Sequence, residues 1–165
     1  MNPTEVTDIT PEDDLKPVGP VVLVVLDTAS ADADDVGTVE EFRTAGKPVV
    51  FIHQGTQVPA DAFRVSPDEY LIRKLRWSAF FGTELDLVLK GYRAQTVLFI
   101  GGVTDFDLHF SALDAHQTDY HIRTIVESAH GTTDDTHEAA LRAIKYLQRD
   151  ALVSRAAVHS WLAAA

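Results

Sequence analysis

Three ionisable side chains stand where apolar runs of this 165-residue chain give out. Asp27 ends the run Val21 to Leu26. Lys74 follows Tyr70 to Arg73 and precedes Trp77-Ser78-Ala79-Phe80. Asp107 closes Gly101-Gly102-Val103-Thr104-Asp105-Phe106-Asp107, a segment with paired glycines. Two carboxylates beside one ammonium form an acid–base set whose pKa values are pushed apart, so that one group donates a proton while the other accepts one. Each residue also has a purely structural reading. Asp27 serves equally as a turn residue, Lys74 as a solvated surface charge, and the glycines as a tight turn. Asp105 or Asp107 would equally suit the favourable end of a helix dipole as caps. The sequence contains no cysteine, which excludes thiol catalysis, disulfides and Cys-ligated zinc.

These residues need a scaffold, and the apolar pattern supplies one. Val21 to Leu26, Pro48 to Ile52 and Thr96 to Ile100 are uniformly apolar rather than alternating, the signature of strands buried on both faces of a parallel sheet. Weaker strands are expected at Tyr70 to Arg73, His121 to Val126 and Ala151 to Val153. Between them lie helical segments. Val36 to Ala45 ends at Gly46. A second helix runs to Gly91 from a capping box at Thr83 to Asp86. A third opens at a capping box over Asp135 to Glu138 and presents Ala140, Leu141, Ile144 and Leu147 on one face. The last starts from Ser154 and ends near Ala164. Alternation at this spacing predicts an α/β, doubly wound three-layer fold with a six-stranded, mostly parallel sheet, whose ligands bind at the carboxyl ends of the strands. Asp27, Lys74 and the Gly101 to Asp107 turn all fall there.

The proline-punctuated, acidic residues 1–19 read as an extended leader, and residues 20–165 as a single domain without repeats or linkers. The leader lacks the basic and apolar regions of a signal peptide, and no apolar run approaches bilayer length, so a cytoplasmic location is expected. A formal net charge of −11, from 25 acidic and 14 basic residues, argues against nucleic acid and anionic membranes as partners. It leaves the charge of a small-molecule substrate open.

Four segments in order resemble the isochorismatase-like (cysteine hydrolase) family. Lys74 to Leu85 is similar to its K-x-R-[YF]-S-A-F-x-x-T-x-L stretch. Gly101 to Ala115, with Thr104 and Asp114-Ala115, is similar to G-[VI]-x-T-[ND]-x-C-V-x-x-T-A-x-D-A. His137 to Leu141 resembles H-E-A-A-L, and Asp27 stands at the family's first catalytic position. The resemblance implies a triad of Asp27, Lys74 and, in place of the catalytic cysteine, Asp107. It also implies a cis peptide between Gly102 and Val103, with the backbone amides of Val103 and Asp107 as oxyanion donors. Trp77 and Phe80 would be apolar pocket walls, equally readable as core packing, and His109 a neighbour of the site or a solvated residue. His130, His137 and His159 are read as structural or surface residues. The family's frequent dimers and higher assemblies imply a homo-oligomer.

The chain departs from the family pattern in three places. The common Asp-x-Gln is Asp27-Thr28-Ala29, the segment between the first two strands is short, and no Asp-x-His metal motif appears around His53 to Phe63. No metal or other cofactor is expected. A carboxylate at position 107 would have to form a mixed anhydride to replace a thioester, which disfavours covalent amide hydrolysis. The remaining chemistry is acid–base hydrolysis of a vinyl ether, imine or similar bond, for which the isochorismatases proper are the family precedent, since they lack the cysteine and cleave a vinyl ether. Asp107 as a nucleophile towards an alkyl or glycosyl carbon has no positive support in the sequence. The alternative is a catalytically inactive member that binds a small molecule or a protein partner.

Overall fold

The computed structural model describes residues 6–165. Six parallel strands, β1 (Val21–Val25), β2 (Val49–Gln54), β3 (Tyr70–Lys74), β4 (Thr96–Ile100), β5 (His121–Ile125) and β6 (Leu152–Val153), form one sheet in the order β3-β2-β1-β4-β5-β6. Chain direction across the sheet reverses between β1 and β4, so a crevice opens at their carboxyl ends. Five helices cover the faces: α1 (Ala33–Thr44), α2 (Leu85–Gly91), α3 (His109–Gln117), α4 (Asp134–Leu147) and α5 (Arg155–Ala164).

The central strands β1 and β4 are buried at every position because both faces of the sheet are covered. Val22, Val24, Leu26, Val50, Ile52, Ile72, Val97 and Phe99 pack with α2, α3 and α4 through Leu85, Leu89, Ala112, Leu141 and Ile144. Val21, Leu23, Val25, Val49, Phe51, Leu98 and Ile100 pack with α1 and α5 through Val39, Phe42, Val158 and Leu162. At about 25 cal/mol per Å² of apolar surface, each of these Val, Leu, Ile and Phe side chains contributes about 1.5–3 kcal/mol on burial. Among the described residues, no helix is long and apolar enough to cross a membrane.

Helix starts differ from expectation where side-chain caps lie outside the apolar pattern. α1 begins three residues early because the Asp32 carboxylate accepts from the backbone N–H groups of Asp34 and Asp35. α4 is capped by Thr133, whose reciprocal partner is Thr136, rather than by a box at Asp135 to Glu138. Thr83 accepts from the Leu85 N–H at 3.2 Å and forms no capping box with Asp86, which instead receives Lys90 and the Tyr120 hydroxyl. Ser154 caps α5 as expected, accepting from the Ala157 N–H.

The acidic segment before β1 is docked. Glu12 bridges Val153 in parallel, donating its N–H to the Leu152 carbonyl and accepting from the Ser154 N–H. Leu15 is buried in the α1/α5-side core. Arg123, buried within β5, donates to the Lys16 carbonyl and pairs with Asp150 at 2.5 Å. This segment covers the β6 edge of the sheet.

Candidate active site

Lys74 is the last residue of β3 and lies in alternation with Ile72, so its side chain joins the α2/α3/α4 face. Only 1% of it is exposed. Its ammonium donates to the carbonyls of Trp77 (3.0 Å) and Arg76 (3.4 Å) and forms an ion pair with Asp107 Oδ1. A buried lysine requires such a set, because an unpaired ammonium in the interior loses its hydration without return.

Asp107 sits in a π-helical turn, Thr104–Leu108, that joins the end of β4 to α3. The Leu108 N–H reaches back to the Val103 carbonyl at 3.2 Å, and the widened turn aims Asp107 back over its own entry. Asp107 Oδ2 accepts the Val103 N–H at 3.0 Å. Both carboxylate oxygens are therefore engaged, one by a side-chain cation and one by a backbone amide.

The entry turn is made by two glycines with left-handed backbone, φ +71° at Gly101 and +82° at Gly102. All described peptide bonds are trans, so the expected cis bond between Gly102 and Val103 is corrected: two consecutive positive-φ glycines reverse the chain without one. A Cβ at Gly102 would lie 3.0 Å from both Asp107 Cβ and Leu26 Cβ. The turn is held from outside by Thr104, whose N–H donates to the His130 carbonyl at 2.9 Å and whose hydroxyl meets His137 Nδ1 at 2.8 Å. From the opposite face, Ser128 Oγ accepts the Gly101 N–H (2.7 Å) and donates to buried Asp35 (2.7 Å), which pairs with Arg155 at 3.0 Å. Burial pushes the Asp35 carboxyl above its usual value, against the lowering pull of Ser128 and Arg155.

Asp27 is not brought to this ion pair. It continues the alternation of Val21, Leu23 and Val25 towards α1 and α5, its Oδ1 accepts the Ala29 N–H at 3.0 Å, and it forms no ion pair with Lys74. With Gly101, Gly102, Val103, Ser128 and His130 it lines a cavity of about 140 Å³ on the other side of the turn. The β1 residue beside Asp107 is Leu26.

Trp77 is half-exposed and stacks on Phe106, ring centroids 4.6 Å apart, as an apolar wall next to Asp107 in sequence. Phe80 turns inward to Tyr120, 6.2 Å away, and packs against the core. His109 begins α3 beside Phe110, and burial holds its imidazole below the usual 6.5 despite the opposing charge of Asp105. Gln54, opposite Lys74 in the β2–β3 register, carries a buried Oε1 with no partner among the described residues, and the same holds for His53 Nδ1. Sequence reasoning passed over Gln54, Phe106, Ser128 and Asp35. The polar pair His53-Gln54 closing an apolar strand was the visible signal for the first. The others depend on contacts distant in the chain.

The comparisons with known proteins cover most of the chain. The family model described as "Isochorismatase domain" matches residues 34–157, three quarters of the chain. The chain belongs to the isochorismatase domain family. It is thus a member of a hydrolase family, and Lys74 and Asp107 lie inside the matched region while Asp27 precedes it. An uncharacterized isochorismatase family protein of Bacillus subtilis, YwoC, is 33% identical over 94 residues, 53% of this chain. The match spans half the length of that curated relative. An isochorismatase family protein from Burkholderia thailandensis superposes with a TM-score of 0.75 at 21% identity, covering 91% of this chain and 98% of that one. N-carbamoylsarcosine amidase from Thermoplasma acidophilum gives 0.66 at 22% identity (82% and 96% covered). The nicotinamidase of Staphylococcus aureus gives 0.67 at 23% (76% and 94%). These structures share the fold.

Proposed function

We propose that this isochorismatase-family chain hydrolyses a small molecule without a thiol, using Asp107 as the base, Lys74 as its counter-charge and Asp27, across the glycine turn, as the second carboxyl group. The observation that carries the reading is the Lys74–Asp107 ion pair at the carboxyl end of the sheet, in the segment that resembles the family's nucleophile turn. In this scheme a carboxyl group protonates the carbon of a vinyl ether or the nitrogen of an imine. The cationic carbon takes up water, whose proton passes to the carboxylate base. The hemiketal or carbinolamine then collapses to a carbonyl compound and an alcohol or amine. Lys74 offsets negative charge at Asp107 throughout, and Trp77 with Phe106 offers an apolar surface to the substrate. The unpartnered Gln54 Oε1 supports a ligand carrying an N–H or O–H donor.

The test is turnover of a panel of small vinyl ethers, imines, lactams and amides by the wild type and by Asp27→Asn and Asp107→Asn. Each substitution is expected to lower kcat about a hundredfold or more on the vinyl ether or imine that is cleaved. Activity that ignores Asp107→Asn refutes the reading. A second reading, a non-catalytic member that binds a small molecule, is favoured by one observation: both Asp107 oxygens are occupied by the chain itself, with Leu26 rather than a carboxylate beside them. It predicts binding from the panel with no turnover.

A further inference from the structure

We infer that the Lys74 ammonium and the Val103 N–H form a binding site for a small monocarboxylate, which the wild-type chain keeps filled with its own Asp107. Three observations converge. The two donors come from separate elements, the end of β3 and the turn after β4, yet both face one carboxylate, each taking a different oxygen. Lys74 is 1% exposed, so an anion is the partner that its position demands whether or not residue 107 provides one. Gly102 leaves room for the side chain that carries the carboxylate, since a Cβ there would lie 3.0 Å from Asp107 Cβ and Leu26 Cβ. A planar carboxylate accepting one N–H at each oxygen is the shape that this pair of donors recognises.

The inference rests on the reading above for the place of the site, but not for its chemistry. In the wild type a ligand's carboxylate enters only by displacing Asp107, so the site discriminates against carboxylated substrates. It follows that the anionic oxygen of an acyl-transfer intermediate has no free donor at Val103, in keeping with a substrate other than an amide.

The experiment uses the full chain with Asp107→Gly, and Asp107→Ala as a second variant should the glycine fail to fold. Sodium formate at 100 mM is compared with sodium chloride at equal ionic strength. Formate binding with a dissociation constant of about 10 mM raises Tm of the truncated variant by about 3–6 °C over chloride. The wild type should not respond, and adding Lys74→Met to the truncated variant should abolish the shift. A line-broadened formate carbon resonance with the truncated variant alone gives the same answer without heating. No formate effect in either folded variant overturns the inference, as does an effect that survives Lys74→Met, an equal effect of chloride, or an equal response of the wild type. Formate that binds without restoring turnover tells against Asp107 as the base while leaving the carboxylate site standing, so the two failures are distinct.

Discussion

Breaking the Lys74–Asp107 pair from its two ends should give unequal losses of stability. Removing one partner of a buried pair costs about 3–5 kcal/mol, chiefly because the other charge remains behind. The side chain left by Lys74→Met is Asp107, 14% exposed and still bonded to the Val103 N–H. Water and that amide can solvate it, which reduces the cost to about 2 kcal/mol. The side chain left by Asp107→Asn is Lys74, 1% exposed, with two backbone carbonyls and a neutral amide around a full charge. Its cost should reach about 4 kcal/mol. At about 2–4 °C per kcal/mol for a chain of this size, the expected falls in Tm are about 5 °C for Lys74→Met and about 10 °C for Asp107→Asn. Thermal unfolding at neutral pH measures both, and the double variant Lys74→Met/Asp107→Leu should recover most of the loss, since an apolar pair of similar volume replaces the charges. Equal losses, or a double variant worse than either single one, would refute the argument from burial.

Two further predictions follow from groups around the site. His109 titrates below 6.5 in the folded chain because of burial, so its contribution to stability is full above that value and is lost as pH falls through it. His109→Asn should flatten the stability-versus-pH curve just below pH 6.5 relative to wild type, which acid-range unfolding curves would show. Gln54→Leu removes a buried acceptor that has no donor among the described residues, so Tm should hold or rise slightly while binding or turnover of any ligand found in the panel falls about tenfold. A marked loss of stability would mean that the amide oxygen is satisfied within the fold.

The sheet was legible because β1, β2 and β4 are built on uninterrupted apolar runs, and the weaker segments at Tyr70, His121 and Ala151 alternate with helices at the spacing that a parallel sheet requires. Lys74 and the glycine turn were legible as a resemblance in residue spacing. The face on which Asp27 lies was not. Val21 to Leu26 is apolar at every position because the sheet is covered on both sides, so alternation leaves no mark in the sequence, and Asp27 and Leu26 are separated only by the observed packing. Motif spacing places a residue at the end of a strand but not on a side of it. Ser128 and Asp35, 93 positions apart, meet across the sheet to hold Gly101, and neither has a local signature. The caps at Asp32 and Thr133 were missed for another reason: polar side chains just outside an apolar period are invisible to a reading based on that period.

The docked segment before β1 has a consequence for how copies of the chain can meet. It lies along β6 through Glu12, so that margin of the sheet offers little open backbone for another strand. The opposite margin is β3, with Tyr70 and Leu71 exposed. A sheet closed on one side and open on the other has a single valence. Two copies joined β3 to β3 about a two-fold axis would use it up on both molecules, and growth by strand addition would stop at a pair rather than run on into a fibre.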